Sequence, residues 1–322
     1  MRTRWLIALT ATLIGFSCSA MAQSWPTRTI RVVVPFTAGS GSDIVTRTIM
    51  DQLSQQLGQP IVVENRVGAG GTIGNNAVAK ADPDGYTILA ASSGYTSVPF
   101  IYKSMPYALS DLVAVTPLAN LPQVLVIAPS KGIQSVRQLV AKAKANPGTM
   151  SYASGGVGSA THLSVEKFRL SAGFEGIHVP FKGGPEALTE VMTGRVDFYF
   201  VPALPALPLI ADGRLLALAV SSTQRAAVLP NVPTTLEAGY LNSDYNFWVG
   251  LFLPAKTPRA IIDKLHDETR KAIKAPEVAA KLVKFGADPM PMSPAQFEAY
   301  LKNELATNEK LAKATGLAGS EN

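Results

Sequence analysis

Apolar segments typical of β-strands alternate along this chain with segments that have the periodicity of α-helices. TIRVVVP (residues 29–35) is followed by a helical stripe over residues 41–57 and then by PIVVEN (residues 60–65). A third strand-like run, YTILAA (residues 86–91), follows the turn DPDG. The alternation favours βαβ units. It predicts an α/β fold in which each sheet is mainly parallel and is flanked by helices.

One arrangement, a strand followed by a Gly/Ser loop and a helix start, occurs twice. It reads VVVPFTAGSGSDIVTRTI at residues 32–49 and MSYASGGVGSATHLSVEKF at residues 150–168. The first amide groups of a helix have no internal acceptor, and the helix dipole favours a negative charge there. Two such loops, one in each lobe and facing across a cleft, would hold a small anion such as a carboxylate.

Nucleotide binding is disfavoured by the same loops. The chain has no G-x-x-x-x-G-K-[ST] phosphate loop, and the G-x-G-x-x-G pattern that begins at Gly39 has Ile44 in place of its third glycine. Gly/Ser turns before helices are common, so a plain tight connection is the alternative interpretation of each loop.

The length of the chain, 322 residues, predicts two domains. From residue 257 onward the pattern is almost entirely helical, and such a tail must pack on an earlier sheet. Domain 1 is therefore expected to be discontinuous, with residues 23–124 and 247–322, and domain 2 to contain residues 125–246. The two crossings, near residues 123–128 and 246–253, would form a hinge.

The first 22 residues, MRTRWLIALTATLIGFSCSAMA, have the pattern of a secretory signal peptide. Their apolar run, residues 5–16, is shorter than the roughly 20 residues that span a bilayer. We expect cleavage after Ala22 and a periplasmic location, with a lipid anchor on Cys18 as a minor alternative. Cys18 is the only cysteine, so the mature chain would have no thiol.

Composition argues against several other functions. The net charge of +6 includes Arg2 and Arg4 of the leader. The chain contains no run of basic residues, so nucleic acid is not expected as a partner. The three histidines lack the spacing of a metal site, so neither a metal nor a cofactor is expected. No G-x-S-x-G or H-E-x-x-H motif occurs, and an enzyme is not expected.

Several single residues allow two interpretations. Asp43 is interpreted as a helix cap together with Ser40, because its charge would repel a carboxylate. His162 is expected to make a structural hydrogen bond rather than to act in catalysis. Lys182 could pair with an anion or be a solvated loop residue. Trp248 could line the cleft, although core packing is favoured.

An ordered set of motifs resembles the tripartite tricarboxylate transporter substrate-binding family, also called the Bug receptors. The most specific are VVENRVGAGG and ADPDGYT at their spacing here. They are accompanied by SYASGGVGSATHLSVEKF, HVPFKGGPEALTEVMTGRVDFYF and FWVGLFLPAKTP. The resemblance covers nearly the whole mature chain. It implies a two-lobed periplasmic-binding-protein (Venus-flytrap) fold that delivers small carboxylates to a large and a small permease subunit.

The resemblance also implies a ligand site built largely from main-chain groups of the two loops, and a monomer. The residues expected to contact the ligand are Phe36, Thr37, Ala38, Gly39, Ser40, Gly41, Ser92, Ser93, Ser154, Gly156, Gly158, Ser159, Ala160, Thr161, Lys182, Val201 and Pro202.

The chain departs from the family pattern near this site. Residues 37–40 read TAGS where the family usually has a proline and two glycines, residues 201–205 are apolar, and Leu216 stands where arginine is frequent. These departures suggest a ligand with an apolar or aromatic body behind its carboxylate. A sensory receptor that signals to a membrane kinase, and less favourably a secreted α/β hydrolase, remain the alternative functions.

Overall fold

In the computed structural model, which describes residues 25–322, the chain forms two β-sheets flanked by helices. The expected signal peptide and its cleavage site lie outside these residues. The strands are β1 (Ile30–Val34), β2 (Ile61–Asn65), β3 (Thr87–Ser92), β4 (Leu112–Leu121), β5 (Gln123–Ile127), β6 (Ser151–Ser154), β7 (Ile177–Pro180), β8 (Phe198–Pro202), β9 (Leu216–Val220), β10 (Phe247–Pro254) and β11 (Asp288–Pro289).

The strands divide between a six-stranded sheet, in the order β11-β4-β10-β3-β1-β2, and a five-stranded sheet, in the order β7-β6-β8-β5-β9. The chain passes from the first sheet to the second through Pro122 and returns before Phe247. This distribution agrees with the predicted crossings, while the domain boundaries themselves stay a prediction.

Both sheets are mixed, whereas mainly parallel sheets were expected. Parallel pairs join β1 to β2 and β3, and β6 to β7 and β8; the pairs made by β4, β5, β9, β10 and β11 are antiparallel. The reason lies in the crossings. The chain leaves the first sheet at Leu121 and re-enters it at Phe247, directly opposite, so β10 begins where β4 ends and must run the other way.

The helices largely follow the predicted pattern. They are α1 (Gly41–Leu57), α2 (Thr72–Ala79), α3 (Val98–Ile101), α4 (Val136–Ala145), α5 (Ala160–Ala172), α6 (Gly184–Met192), α7 (Ala203–Ala211), α8 (Arg259–Lys274), α9 (Pro276–Phe285) and α10 (Pro294–Ala314). Helices α8 and α10 pack on β4 of the first sheet, as expected for the helical tail. Within residues 25–322, no helix is both long and apolar enough to cross a membrane.

The sequence pattern missed β4. LVAVTPLANL does not alternate because nearly every residue of the strand is buried, and it contains Pro117. Pro117 lies opposite Gly250 beside a bulge between the two strands, which is a position where a sheet tolerates proline.

Trp248 belongs to the core, as favoured from sequence. Its side chain is fully buried, and its ring meets Phe297 edge-on with 5.4 Å between the centroids. It also contacts Phe252 of the same strand and Tyr300 of helix α10. The cleft therefore receives its aromatic groups from other positions.

Candidate functional site

A small cavity lies where the helix starts of α1 and α5 approach the ends of strands from both sheets. Its volume is about 30 Å³, which is room for one or two water molecules. None of the side chains that line it is charged. The lining residues are Phe36, Ser40, Gly41, Ser42, Ser92, Gly155, Ser159, Ala160, Thr161, Gly184, Tyr199, Val201, Pro202, Pro205 and Phe247.

The start of α1 presents free amide groups to this cavity. Ser40 has extended backbone angles and caps the helix, with its hydroxyl accepting from the Asp43 amide at 3.3 Å. The amides of Gly41 and Ser42 donate to no other residue in the described part of the chain, and both residues line the cavity. They are the unpaired donors that a helix start leaves for an anion.

Asp43 fixes this helix start instead of facing a ligand. Its carboxylate accepts from the Gly39 amide at 2.9 Å, from Arg47 Nε at 3.0 Å and from Asn65 Nδ2 at 2.8 Å. Asn65 Nδ2 also donates to the Phe36 carbonyl at 2.8 Å. These bonds hold the 36–40 loop in place and agree with the capping role expected from sequence.

The start of α5 is built in the same way. Ser159 caps the helix and accepts from the His162 amide at 3.3 Å. The Thr161 hydroxyl accepts from the Gly155 amide at 2.8 Å, which ties the preceding loop to the helix. The amides of Ala160 and Thr161 have no acceptor among residues 25–322, and both residues line the cavity.

Most loop glycines, in contrast, use their amides inside the protein. Gly39 donates to Asp43, Gly156 donates to Ser154 Oγ at 3.0 Å, and Gly158 donates to His162 Nδ1 at 3.2 Å. The loops are therefore preorganised by their own hydrogen bonds, and the free donors are concentrated in the first helical turns.

The remaining walls are aromatic and apolar, with two hydroxyl groups among them. Tyr199 is buried, and burial raises the pKa of its phenol, so the hydroxyl is a neutral donor at neutral pH. Ser92 Oγ is buried and has no hydrogen-bond partner among the described residues. Phe36, Phe247 and Pro202 complete this surface.

The structure brings nine of the expected ligand contacts together around this cavity: Phe36, Ser40, Gly41, Ser92, Ser159, Ala160, Thr161, Val201 and Pro202. The other eight lie elsewhere. Thr37 packs against Gly183, Ala38 is exposed, and Ser93 is buried but does not line the cavity. Gly39, Ser154 and Gly158 form hydrogen bonds within the protein. Gly156 and Lys182 line a neighbouring groove. Whether each residue contacts a ligand stays a prediction.

Six lining residues are outside the list of expected contacts, although the first two lie within the two loops chosen from sequence: Ser42, Gly155, Gly184, Tyr199, Pro205 and Phe247. Gly184 could have been found, because Gly183-Gly184-Pro185 is a third helix entry like the two that were chosen. Tyr199 and Phe247 carry no such signal, since each reads as an ordinary strand residue until the two sheets are placed together.

Two stacked histidine side chains hold the loop that precedes α5 through hydrogen bonds. The rings of His162 and His178 lie 3.8 Å apart and 7° from parallel. His162 Nδ1 accepts from Gly158, which is the structural hydrogen bond expected from sequence, and His178 Nε2 lies 2.6 Å from Ser154 Oγ. Burial lowers the pKa of His178 to about 4, and burial with the neighbouring His178 lowers that of His162 well below its usual value.

These pKa shifts predict that acid destabilises the fold. Between about pH 4 and 6.5 the unfolded chain binds protons that the buried histidines do not, so the free energy of unfolding falls as pH falls through that range. The slope is at most about 1.4 kcal/mol per pH unit for each histidine. Urea unfolding at pH 7.5 and pH 5 measures the loss. His178→Gln should reduce it, and an unchanged slope in that variant would contradict this interpretation.

A family model described as the tripartite tricarboxylate transporter family receptor matches residues 45–317. The chain belongs to this family. BugT of Bordetella pertussis is 35% identical over 310 residues, which cover 94% of each chain. The expectation of a periplasmic solute-binding protein rather than an enzyme, drawn from the motifs, is confirmed.

Solved structures show the same two-lobed fold. The Rhodopseudomonas palustris protein Rpa4515 with adipate superposes with a TM-score of 0.88 at 33% identity, covering 91% of this chain and 99% of that one. MatC from the same species, with bound malate, gives a TM-score of 0.85 at 29% identity, covering 89% and 99%.

Proposed function

We propose that this family member captures a small carboxylate with an apolar body in the cavity between its two sheets. The observation that carries the proposal is that two helix starts direct unpaired amides at one cavity in which no lining side chain is charged. A carboxylate would be held by backbone N–H groups and two helix dipoles, each worth up to about 2 kcal/mol when partly buried.

The apolar lining supports the second part of the proposal. Phe36, Phe247, Pro202 and Pro205 offer contact surface to methylene or aromatic groups, while Tyr199 and Ser92 offer hydroxyl donors. The structural relatives that carry adipate and malate hold small dicarboxylates, and of these two adipate has an apolar body. A short, linear dicarboxylate or an aromatic acid matches this combination better than citrate, whose three carboxylates need more polar partners.

Ligand binding would require the two lobes to separate and then to close around the ligand less tightly than in this structure, because the cavity is smaller than any dicarboxylate. Residues 23–124 with 247–322, and residues 125–246, are proposed to move as two bodies about the crossings at Pro122 and before Phe247. Contacts between them mark the closed form: Ser97 Oγ donates to the Gly158 carbonyl at 2.8 Å, and Gly41 packs directly against Pro202.

Delivery to a membrane transporter with a large and a small permease subunit is the role proposed for the loaded protein. It would act as a monomer in the periplasm, after cleavage behind Ala22. A sensory role is the second candidate, because a receptor that closes on a ligand can signal as well as deliver. Uptake of the bound acid by cells that carry or lack the permease genes separates the two roles.

Calorimetric titration of the mature protein tests the proposed ligand class. The panel contains succinate, adipate, malate, benzoate, citrate and the uncharged amide adipamide. We expect saturable binding of at least one acid with an apolar body, and none of adipamide, because removing the charge removes the interaction with the helix starts. Binding of citrate alone, or equal binding of adipamide, would contradict the proposal.

A further inference from the structure

A second, larger space adjoins the site. This outer groove runs between residues 68–70 and residues 155–157, with Tyr102 and Phe181 on its sides, and has a volume of about 520 Å³. Gly155 lines both the groove and the inner cavity of about 30 Å³. The cavity and the groove are therefore adjacent, and Gly155 is the residue that lines both.

The ring of Phe36 lies at this boundary. A Cβ placed on Gly155 would be 3.7 Å from Phe36 Cε1, and one placed on Gly71 would be 3.5 Å from Phe36 Cζ. The ring is thus wedged between a loop of the first sheet and a loop of the second. Phe36 lines the inner cavity but not the groove, and it is only 9% exposed.

The glycines on either side make room for the ring. Gly71 has a φ of +105°, and Gly155 sits next to Gly156, whose φ is +114°. Two side chains lie against Gly155 on this side: a Cβ there would be 3.5 Å from the Thr161 hydroxyl and 3.7 Å from the Phe36 ring, which is the larger of the two groups. Loss of the ring would connect the two spaces, because the backbone of these preorganised loops cannot easily close the gap.

We propose that Phe36 sets the upper length of the ligand, which deepens the proposed function and rests on it. With the ring in place, the ligand must fit in the space that remains between the helix starts and Phe36 when the lobes close around it. Without it, the chain of a longer acid could extend into the groove, where a distal carboxylate stays in water and loses no hydration. Phe36 is therefore a residue that determines specificity by closing the site, in addition to contacting whatever is bound.

Titration calorimetry with linear dicarboxylates of four to ten carbons tests this inference. Wild-type protein should favour one short member and lose affinity steeply beyond it. Phe36→Ala should lengthen the acid that binds best by at least two methylene groups. It should raise the affinity for the longest acids about tenfold and lower the affinity for the shortest about tenfold. Phe36→Leu, which keeps most of the bulk, should fall between the two and guards against a misfolded alanine variant.

Phe181→Ala is the matched control, since Phe181 lines the groove only and its loss should leave the length profile unchanged. If the wild type binds short diacids and both Phe36 variants keep its optimum, the inference is overturned while the proposed function stands. If the wild type binds no acid of the series, the proposed function fails for linear diacids and the inference fails with it.

Discussion

Replacing Ser42 with proline is expected to lower the affinity for carboxylates by about 10- to 100-fold while the protein stays folded. Proline has no N–H, so the variant removes one of the free donors at the start of α1. A hydrogen bond to a charged group contributes about 1.5–3 kcal/mol, and each 1.4 kcal/mol is tenfold in affinity. Titration calorimetry with the best acid of the panel measures the effect.

The fold should tolerate this proline. Ser42 is the second residue of α1, and its amide makes no hydrogen bond within the described chain. Helix α6 already has this arrangement, because Pro185 follows Gly184 at its second position, just as a proline would follow Gly41. The melting temperature of the variant is therefore expected to stay close to that of the wild type.

Ser42→Ala separates the amide from the hydroxyl. It removes the side-chain donor and keeps the backbone N–H, so it should lose much less affinity than the proline variant. Equal losses in the two variants would mean that the hydroxyl, and not the helix amide, holds the anion.

Replacing Gly70 with alanine is expected to lower the affinity for the ligand about 100-fold, because it prevents the two lobes from closing. The new Cβ would lie 2.1 Å from the carbonyl oxygen of Val157, which belongs to the opposite loop, and backbone cannot move as a side chain can. Overpacking of this kind costs about 1–3 kcal/mol or more. Small-angle scattering with saturating ligand should show a larger radius of gyration than for the wild type.

Gly58→Ala is the matched control for this variant. Gly58 has a φ of +64° and Gly70 one of +60°, so both substitutions carry the same backbone strain of about 1–2 kcal/mol. Nothing lies within 4 Å of a Cβ on Gly58. The control should lose stability without losing affinity. A normal, compact, ligand-bound Gly70→Ala protein would show that the 68–71 loop does not approach Val157 when the ligand binds.

The sequence was sufficient to predict the alternation of elements, the two helix starts and the cap of α1, because these depend on local rules. Ser40 caps α1 as its spacing to Asp43 indicates, whereas the cap of α5 by Ser159 was not predicted. The direction of β10 could not be predicted in this way, since it depends on where the chain re-enters the first sheet after more than a hundred residues in the second.

The same difference, between features set by local rules and features set by long-range packing, applies to the candidate site. Glycine-rich loops were expected to supply amide donors, but Gly39, Gly156 and Gly158 donate to side chains nearby. Only the three-dimensional structure shows which amides remain free. Tyr199 and Phe247 reach the cavity from strands of different sheets, and no pattern within either strand distinguishes them from core residues.

The central claim, that helix-start amides hold a carboxylate, is tested most directly by NMR of the amides themselves. In a titration of 15N-labelled protein with the bound acid, the amide protons of Gly41, Ser42 and Thr161 should move downfield and saturate at the dissociation constant found by calorimetry. An acid that binds in the calorimeter while these three resonances stay in place would contradict the account.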